Sequence, residues 1–237
     1  MTTHPLIRIA TRGSRLAVWQ AEHVRSRLRE MHPEFSIELV RIKTLGDRIL
    51  DTPLAKIGGK GLFIKELEHA LLASTADLAV HSMKDVPAEL PVGLCIGAVL
   101  AREDPRDCLL APEHRDFASL PVQAVIGTSS LRRRSQLRAR RSDLRLHDLR
   151  GNVTTRINKL TNGEFDGIVL AAAGLIRLGL STEITEYFAI DQVLPAIGQG
   201  IIGIECRRDD RRILELIGAL EDPITRDALD AERALNA

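Results

Sequence analysis

Apolar positions early in the chain alternate between short continuous runs and sets spaced as on one face of a helix. The run from Leu6 to Ala10 predicts a buried strand, and Ser14 follows it as a helix N-cap. Five apolar residues then recur at alternating spacings of four and three: Ala17, Ala21, Val24, Leu28 and Met31. Further strands are predicted at Ile37 to Ile42 and Ala76 to His81, with a helix at Leu62 to Leu72. Strands that alternate with helices predict a parallel, doubly wound α/β sheet.

The same layout restarts near Val122. The predicted elements are a strand, a helix, a strand, a helix and a strand: Ala124 to Ile126, Leu131 to about Arg141, Leu144 to Leu149, the helix capped by Asn152, and Ile168 to Ala172. A late strand at Gln199 to Glu205 and a helix at Asp210 to Leu220 most simply return to the first sheet. Two crossings of the chain make a hinge. The expected architecture is therefore two similar α/β lobes joined by a double-crossing hinge.

Composition excludes several classes of protein. The 237 residues include 33 Lys and Arg against 32 Asp and Glu, a formal charge of +1, so no whole-molecule field attracts nucleic acid. The longest apolar run, Gly167 to Ile176, is shorter than the ~18 residues of a membrane helix. Cys95, Cys108 and Cys206 suit neither a disulfide framework nor a zinc site. A cytoplasmic protein without membrane or nucleic-acid partners, and without a bound metal, is expected.

Positive charge is concentrated in one segment, Thr128 to Leu160. It holds ten basic and two acidic residues, a local charge of +8. Some of these arginines, such as Arg138, Arg140 and Arg141, are expected on a solvated helix face. Arg132 and Arg133 differ, because they lie in the first turn of a predicted helix, where unpaired backbone N–H groups and the hydroxyls of two preceding serines, Ser129 and Ser130, favour an anion.

Further arginines are predicted near the carboxyl ends of strands, where ligands bind in open α/β sheets. They are Arg12, Arg150, Arg156 and Arg177. Because arginine favours planar carboxylates and phosphates, the expected ligand is a small polyanion held in one cleft by cations from both lobes.

Asp85 is an acidic residue in this predominantly basic set. It lies just beyond the predicted strand that ends near His81, and Pro87 favours a shaped loop there. A carboxylate there would repel an anion, so one interpretation is that it holds an N–H donor or a developing cation. The alternative is a plain surface pair with Lys84 or a loop cap. His81 could act as a base, but a packed or hydrogen-bonded histidine is the more common case at a strand end.

Two glycine-rich segments fail as nucleotide-binding motifs. Leu54 to Phe63 lacks the first glycine and the final Ser or Thr of a phosphate loop, so a lid is expected there instead. Gly198 to Gly203 matches the dinucleotide fingerprint in spacing, but it leads into a strand instead of opening a helix.

Seven separated motifs resemble the porphobilinogen deaminase (hydroxymethylbilane synthase) family, in family order, over about Leu6 to Asn236. They are Ile9 to Ser14, Thr52 to Phe63, Val80 to Pro87, Arg102 to Asp107, Gly127 to Arg133, Leu149 to Thr155 and Leu194 to Glu205. The resemblance implies two periplasmic-binding-protein-like lobes, a smaller third domain and a monomeric enzyme. The expected domains are residues 1–100 with 200–220, residues 105–195, and residues 221–237 as the start of the third.

The resemblance also implies an activity, the condensation of four porphobilinogen molecules into hydroxymethylbilane with release of ammonia, in tetrapyrrole biosynthesis. Asp85 would be the catalytic carboxylate, holding pyrrole N–H groups and stabilising the cationic azafulvene. The carboxylates of a dipyrromethane cofactor would be bound by Ser82, Lys84, Ser129, Ser130, Arg132, Arg133 and Arg156. The substrate would be bound by Arg12, Ser14, Thr128, Arg150, Arg156, Arg177 and Gln199. Lys56, Lys60 and Phe63 would belong to the lid.

In this family the cofactor is attached to a cysteine of the third domain, which is expected beyond Ala237. Cys95, Cys108 and Cys206 are poor substitutes, and the apolar face of the last predicted helix, Ile224 to Leu235, is expected to be exposed. A second hypothesis is therefore an inactive two-domain module that binds porphobilinogen or linear pyrroles.

Overall fold

The computed structural model describes residues 5–48, 61 and 63–235. The chain divides into two compact units: unit 1 is Met1–Arg102 with Ile201–Ala237, and unit 2 is Glu103–Gly200. The chain therefore passes from unit 1 to unit 2 and back. In the part of the chain that is described, no helix combines the length and the apolar character needed to span a membrane.

Unit 1 contains five strands and five α-helices among its described residues. The strands are β1 (Leu6–Arg12), β2 (Ser36–Ile42), β3 (Leu78–Ser82), β4 (Leu94–Val99) and, after the return from unit 2, β10 (Ile202–Arg207). The helices are α1 (Arg15–Met31), α2 (Leu45–Arg48), α3 (Lys65–Leu72), α7 (Arg211–Gly218) and α8 (Pro223–Ala234). A 3₁₀ turn, Met83–Asp85, follows β3 directly.

The sheet of unit 1 has the strand order β2-β1-β3-β10-β4. β1 runs parallel to β2 and β3, whereas β10 is antiparallel to β3 and β4. The expectation of a purely parallel sheet is therefore wrong. The returning chain enters beside the end of β3, where Ile202 pairs with Ser82, so β10 must run in the opposite direction.

Unit 2 has a sheet of the same kind. Its strands are β5 (Asp107–Leu110), β6 (Val125–Gly127), β7 (Arg145–His147), β8 (Gly167–Ala171) and β9 (Glu186–Tyr187). Its helices are α4 (Leu131–Arg140), α5 (Val153–Thr161) and α6 (Ala172–Arg177), with a 3₁₀ turn at Ser181–Glu183. The order is β7-β6-β8-β5-β9, with β6 parallel to β7 and β8 and β5 antiparallel to β8 and β9. Two similar α/β lobes are thereby confirmed.

Helix α1 shows how the apolar spacing becomes packing. The Ser14 side chain accepts a hydrogen bond from the backbone N–H of Ala17, which satisfies one of the free donors of the first turn. Ala21, Val24 and Leu28 are fully buried in the main core of unit 1, with Ile7 and Ile9 of β1 and the apolar face of α7. Three of the five residues of the predicted inward face therefore pack in the core, whereas Ala17 is half-buried and Met31 is exposed.

The sequence predicts an exposed apolar face on helix α8, but the structure covers part of this face. Leu229 is buried in a cluster with Met83 and Val86. Arg233 donates hydrogen bonds to the carbonyl oxygens of Pro87 and Ala88, at 2.8 and 2.7 Å. The helix therefore packs against the segment that contains Asp85, while Ile224 and Leu235 remain exposed.

Gly203 on β10 is required by the packing of Met83. A β-carbon at this position would lie 2.1 Å from the Met83 sulfur. We expect Gly203→Ala to lower the free energy of unfolding by about 1–3 kcal/mol, measured by urea denaturation, because the core must be overpacked. Gly218→Ala, in a helix with open space around the position, is the matched control and should not destabilise. An equal loss in both variants would contradict this explanation.

Candidate active site

The carboxyl edge of the unit 1 sheet brings together several of the predicted site residues. Arg12 ends β1, and Ser82 ends the neighbouring parallel strand β3. The 3₁₀ turn that follows carries Lys84 and Asp85, and both are exposed. Within the described residues, no group donates a hydrogen bond to the Asp85 carboxylate or forms an ion pair with it. The alternative of a surface pair with Lys84 is therefore not what the structure shows.

Aromatic and polar neighbours contact the side chains at this edge. The Arg12 guanidinium carbon lies 4.1 Å from the centroid of the Phe63 ring, a cation–π contact. The Ser82 hydroxyl lies 2.8 Å from the side-chain nitrogen of Gln20, which is buried on α1 and was not singled out from the sequence. Ser14 caps α1 at the same edge. The predicted lid residues Lys56 and Lys60 lie outside the described residues.

The corresponding edge of unit 2 is built from the turn between β6 and α4. Ser129 accepts a hydrogen bond from the Leu149 N–H at 3.0 Å, and its hydroxyl lies 3.1 Å from the Leu149 carbonyl oxygen. This contact fixes the segment after β7 that carries Arg150. Ser130 caps α4 by accepting from the N–H of Arg133, and the buried Thr128 hydroxyl accepts from the N–H of Ser130.

A buried carboxylate, Asp107, begins strand β5 of unit 2. Arg133 donates to one Asp107 oxygen from Nε at 3.1 Å and from Nη2 at 2.7 Å, and its Nη1 donates to the Val169 carbonyl at 2.9 Å. Arg132 forms an ion pair with the other Asp107 oxygen at 2.7 Å. Gln199 donates to Asp107 at 2.8 Å and to the Pro105 carbonyl at 2.6 Å. Asp107 therefore pairs with both arginines of the first turn of α4.

The charges around Asp107 decide its ionisation. Burial alone would raise the pKa of this carboxyl, but the charges and hydrogen bonds of Arg133 and Arg132 outweigh it and hold the pKa below its ordinary value. Asp107 is therefore ionised. No pattern in the sequence indicates a role for Asp107, although this residue ends one of the seven family-like motifs.

The remaining arginines of unit 2 fall into two environments. Arg177 is buried and donates to the Gly200 carbonyl at 2.6 Å, and burial lowers its pKa to about 10. Arg150 and Arg156 are half-buried at the carboxyl edge, where Arg156 donates to the Gly151 carbonyl at 2.8 Å. Arg141, expected on a solvated face, instead pairs with Asp143 at 2.7 Å and donates to the Leu120 carbonyl. The exposed Arg138 and Arg140 agree with that expectation.

Unit 1 also contains buried ionisable side chains. His81 and Glu205 are buried, with 2.9 Å between His81 Nε2 and a Glu205 oxygen. Glu68 of α3 is also buried, and its pKa is raised by burial and by the nearby Glu205 charge. His81 is thus a hydrogen-bonded core residue, the more common case named above.

The raised pKa of Glu68 makes stability depend on pH. Below the ordinary carboxyl pKa of about 4.3, Glu68 is protonated in both the folded and the unfolded chain. As pH rises from there through the raised pKa of the folded chain, the unfolded chain releases this proton first, so the free energy of unfolding falls. We expect Glu68→Gln to raise the melting temperature at pH 7 and to change it little near pH 4. The exposed Glu215→Gln is the control. A stabilisation by Glu68→Gln that is equal at both pH values would contradict this account.

The comparisons with known proteins agree with this architecture. The family described as porphobilinogen deaminase, dipyromethane cofactor binding domain, matches residues 7–215. The chain belongs to the porphobilinogen deaminase family. A porphobilinogen deaminase of Syntrophotalea carbinolica is 58% identical over 228 residues, which are 96% of this chain and 72% of that protein. The resemblance recognised from the seven motifs is thereby confirmed.

Solved structures of low sequence identity show where this porphobilinogen deaminase family member belongs by fold. A periplasmic substrate-binding protein of an ABC transporter from Coxiella burnetii has a TM-score of 0.56 at 13% identity, covering 95% of this chain and 96% of that one. A methionine-binding protein has a TM-score of 0.58 at 10% identity, covering 97% and 95%. The periplasmic-binding-protein-like fold of the two lobes is confirmed.

Proposed function

We propose that this chain acts as a hydroxymethylbilane synthase. This transferase joins four porphobilinogen molecules into hydroxymethylbilane and releases ammonia at each addition, in tetrapyrrole biosynthesis. The observation that carries the proposal is the 58% identity to a porphobilinogen deaminase across 96% of the chain. The donors at the two sheet edges add a chemical reason, because guanidinium and hydroxyl groups suit the acetate and propionate groups of pyrroles.

The donor set fits the carboxylates of a dipyrromethane cofactor. At the edge of unit 2, the half-buried Arg132 and Arg156 and the hydroxyls of Ser129 and Ser130 would hold them. Ser82 and Lys84 would do so at the edge of unit 1. When bound, the cofactor supplies the pyrrole end to which the first substrate is joined. Arg133 is committed to Asp107 and Val169, so we propose that it acts by positioning the first turn of α4.

Arginines and hydroxyl groups at the carboxyl edges of the sheets would bind the substrate. Arg12, oriented by Phe63, and Arg150 are each half-buried at a carboxyl edge and would pair with the acetate and propionate groups. Ser14 and Thr128 cap and shape the adjoining turns. Arg177 and Gln199 are buried and bonded to carbonyl oxygens of their own unit, so we assign them a supporting role.

Asp85 would interact with the ring nitrogen of the pyrrole. An exposed carboxylate without a partner among the described residues is available to accept hydrogen bonds from pyrrole N–H groups. As ammonia leaves, positive charge develops on the substrate, and a fixed negative charge lowers the energy of that state. Deprotonation of the ring nitrogen can be assisted by the same group.

Several features of the wider organisation remain predictions. We propose domain boundaries at residues 1–100 with 200–220, at 105–195 and at 221–237, a lid at Lys56, Lys60 and Phe63, a cytoplasmic location and a monomeric enzyme that does not bind nucleic acid. The cytoplasmic location is supported by three cysteines that form no disulfide.

The assay that tests the function is incubation of the protein with porphobilinogen. From protein that carries the cofactor, seen as a covalent adduct of two pyrrole units in the intact mass, we expect consumption of porphobilinogen, release of ammonia and formation of hydroxymethylbilane. Tight reversible binding of porphobilinogen without release of ammonia, by protein that carries the adduct, would contradict the proposal.

A further inference from the structure

Two of the three cysteines lie directly opposite each other in the sheet of unit 1. Cys95 on β4 is paired with Cys206 on β10 in the antiparallel ladder. Opposed residues of such a ladder have Cα atoms about 4.5–5.5 Å apart, which falls inside the ~4.4–6.8 Å that a disulfide spans. Their side chains project to the same face of the sheet. The backbone therefore already has the separation that a disulfide needs.

A β-bulge beside the pair gives the sulfur atoms room. The register of β10 and β4 shifts between Ile204 and Glu205, and Gly97 of β4 is passed over by the pairing. A β-carbon on Gly97 would lie 2.9 Å from the Cys206 sulfur. The glycine therefore leaves space on the face where the two thiols meet.

The two thiols differ in access to solvent. Cys95 is half-buried on β4, which is an edge strand, whereas Cys206 is fully buried in the main core of unit 1. Burial and the neighbouring Cys95 raise the pKa of Cys206 to about 12. An oxidant from solvent therefore reaches Cys95 first, and Cys206 can only follow as the resolving thiol.

We propose that Cys95 and Cys206 form a peroxide-responsive thiol pair that closes to an intramolecular disulfide. Hydrogen peroxide oxidises the Cys95 thiol to a sulfenic acid by two electrons and is itself reduced, with one of its oxygens leaving as water. The Cys206 thiol then attacks the Cys95 sulfur. The S–S bond forms as the S–O bond breaks, and the hydroxyl leaves with the Cys206 proton as a second water. A thiol reductant restores both cysteines.

The pair is separate from the residues assigned to catalysis. None of the proposed cofactor-binding or substrate-binding residues is Cys95 or Cys206. The third cysteine, Cys108, is buried in unit 2, with its sulfur 3.5 Å from the Leu170 carbonyl oxygen, and it serves as an internal comparison.

The test is peptide mapping of the folded protein after treatment with hydrogen peroxide. Free thiols are alkylated in denaturant, and the chain is digested with trypsin without reduction. Arg102, Arg106, Arg115 and Arg177 separate the three cysteines onto different peptides. We expect a cross-linked peptide that contains Cys95 and Cys206, lost on treatment with dithiothreitol, and an alkylated Cys108.

Two variants sharpen the test. The Cys108→Ala variant should give the same cross-link, and the Cys95→Ser variant should give none and should leave Cys206 alkylated. Three results would overturn the proposal: oxidation of Cys95 to a sulfinic acid while Cys206 stays alkylated, a cross-link that involves Cys108, or unchanged thiols at peroxide concentrations that oxidise free cysteine.

Discussion

Replacing Asp85 by Asn should reduce the turnover of porphobilinogen by at least ~10²-fold while the protein remains folded. The side chain is exposed and accepts no hydrogen bond from the described residues, so its replacement removes no packing and leaves no buried group unsatisfied. The amide cannot stabilise the positive charge that develops as ammonia leaves. Steady-state release of ammonia measures the effect, and the melting temperature should change by no more than the small amount expected for a surface substitution.

Glu89→Gln is the matched control for Asp85. Glu89 is an exposed carboxylate of the same segment, four residues further along the chain. Turnover by this variant should stay within a few-fold of the unmodified protein. If turnover falls by the same factor in Asp85→Asn and in Glu89→Gln, the effect comes from the net charge of the segment and not from a carboxylate that contacts substrate.

Replacing Asp107 by Asn should have the largest effect on stability. The variant leaves the buried Arg133 without its counter-charge, and removing one partner of a buried ion pair costs about 3–5 kcal/mol. For a unit of this size the melting temperature should fall by more than ~10 °C. Thermal unfolding followed by circular dichroism is the measurement.

The control for Asp107 is Asp148→Asn, which breaks an ion pair between an exposed aspartate and Arg134 on the same helix α4. Such surface pairs contribute about 1 kcal/mol or less.

The direction in which the stabilisation by Asp107 changes with pH follows from its pKa. Because the folded pKa of Asp107 is lowered, its stabilisation is present above the ordinary carboxyl pKa and is lost as pH falls through the folded value. The difference between Asp107→Asn and the unmodified protein should therefore narrow in acid.

Elements with local signals could be predicted from the sequence. Helix α1 has five apolar residues at helical spacing after a serine cap, and both features act within a few residues of each other. The short strand β5 has no comparable signal. It has four residues and begins with the charged Asp107, and its burial depends on the neighbouring strands β8 and β9.

Which arginines are buried in ion pairs could not be predicted either, because this also depends on residues distant in the chain. Arg132 and Arg133 are neighbours in one helical turn, and the sequence offers no difference between them. The structure separates them, because Arg133 faces Asp107 and the Val169 carbonyl and is 6% exposed, whereas a quarter of the Arg132 side chain is exposed. Those partners lie 26 and 36 residues away in the chain, beyond the range of a periodic pattern.

The first turnover of porphobilinogen tests the central assignment most directly. Protein that carries its dipyrromethane cofactor is mixed rapidly with substrate, and the release of ammonia from the first molecule is followed for the unmodified protein and for Asp85→Asn. If Asp85 stabilises the charge that develops as the amine leaves, the variant binds porphobilinogen with an affinity within a few-fold of the unmodified protein but shows no burst of ammonia. A burst of equal rate and amplitude in the variant would contradict the assignment.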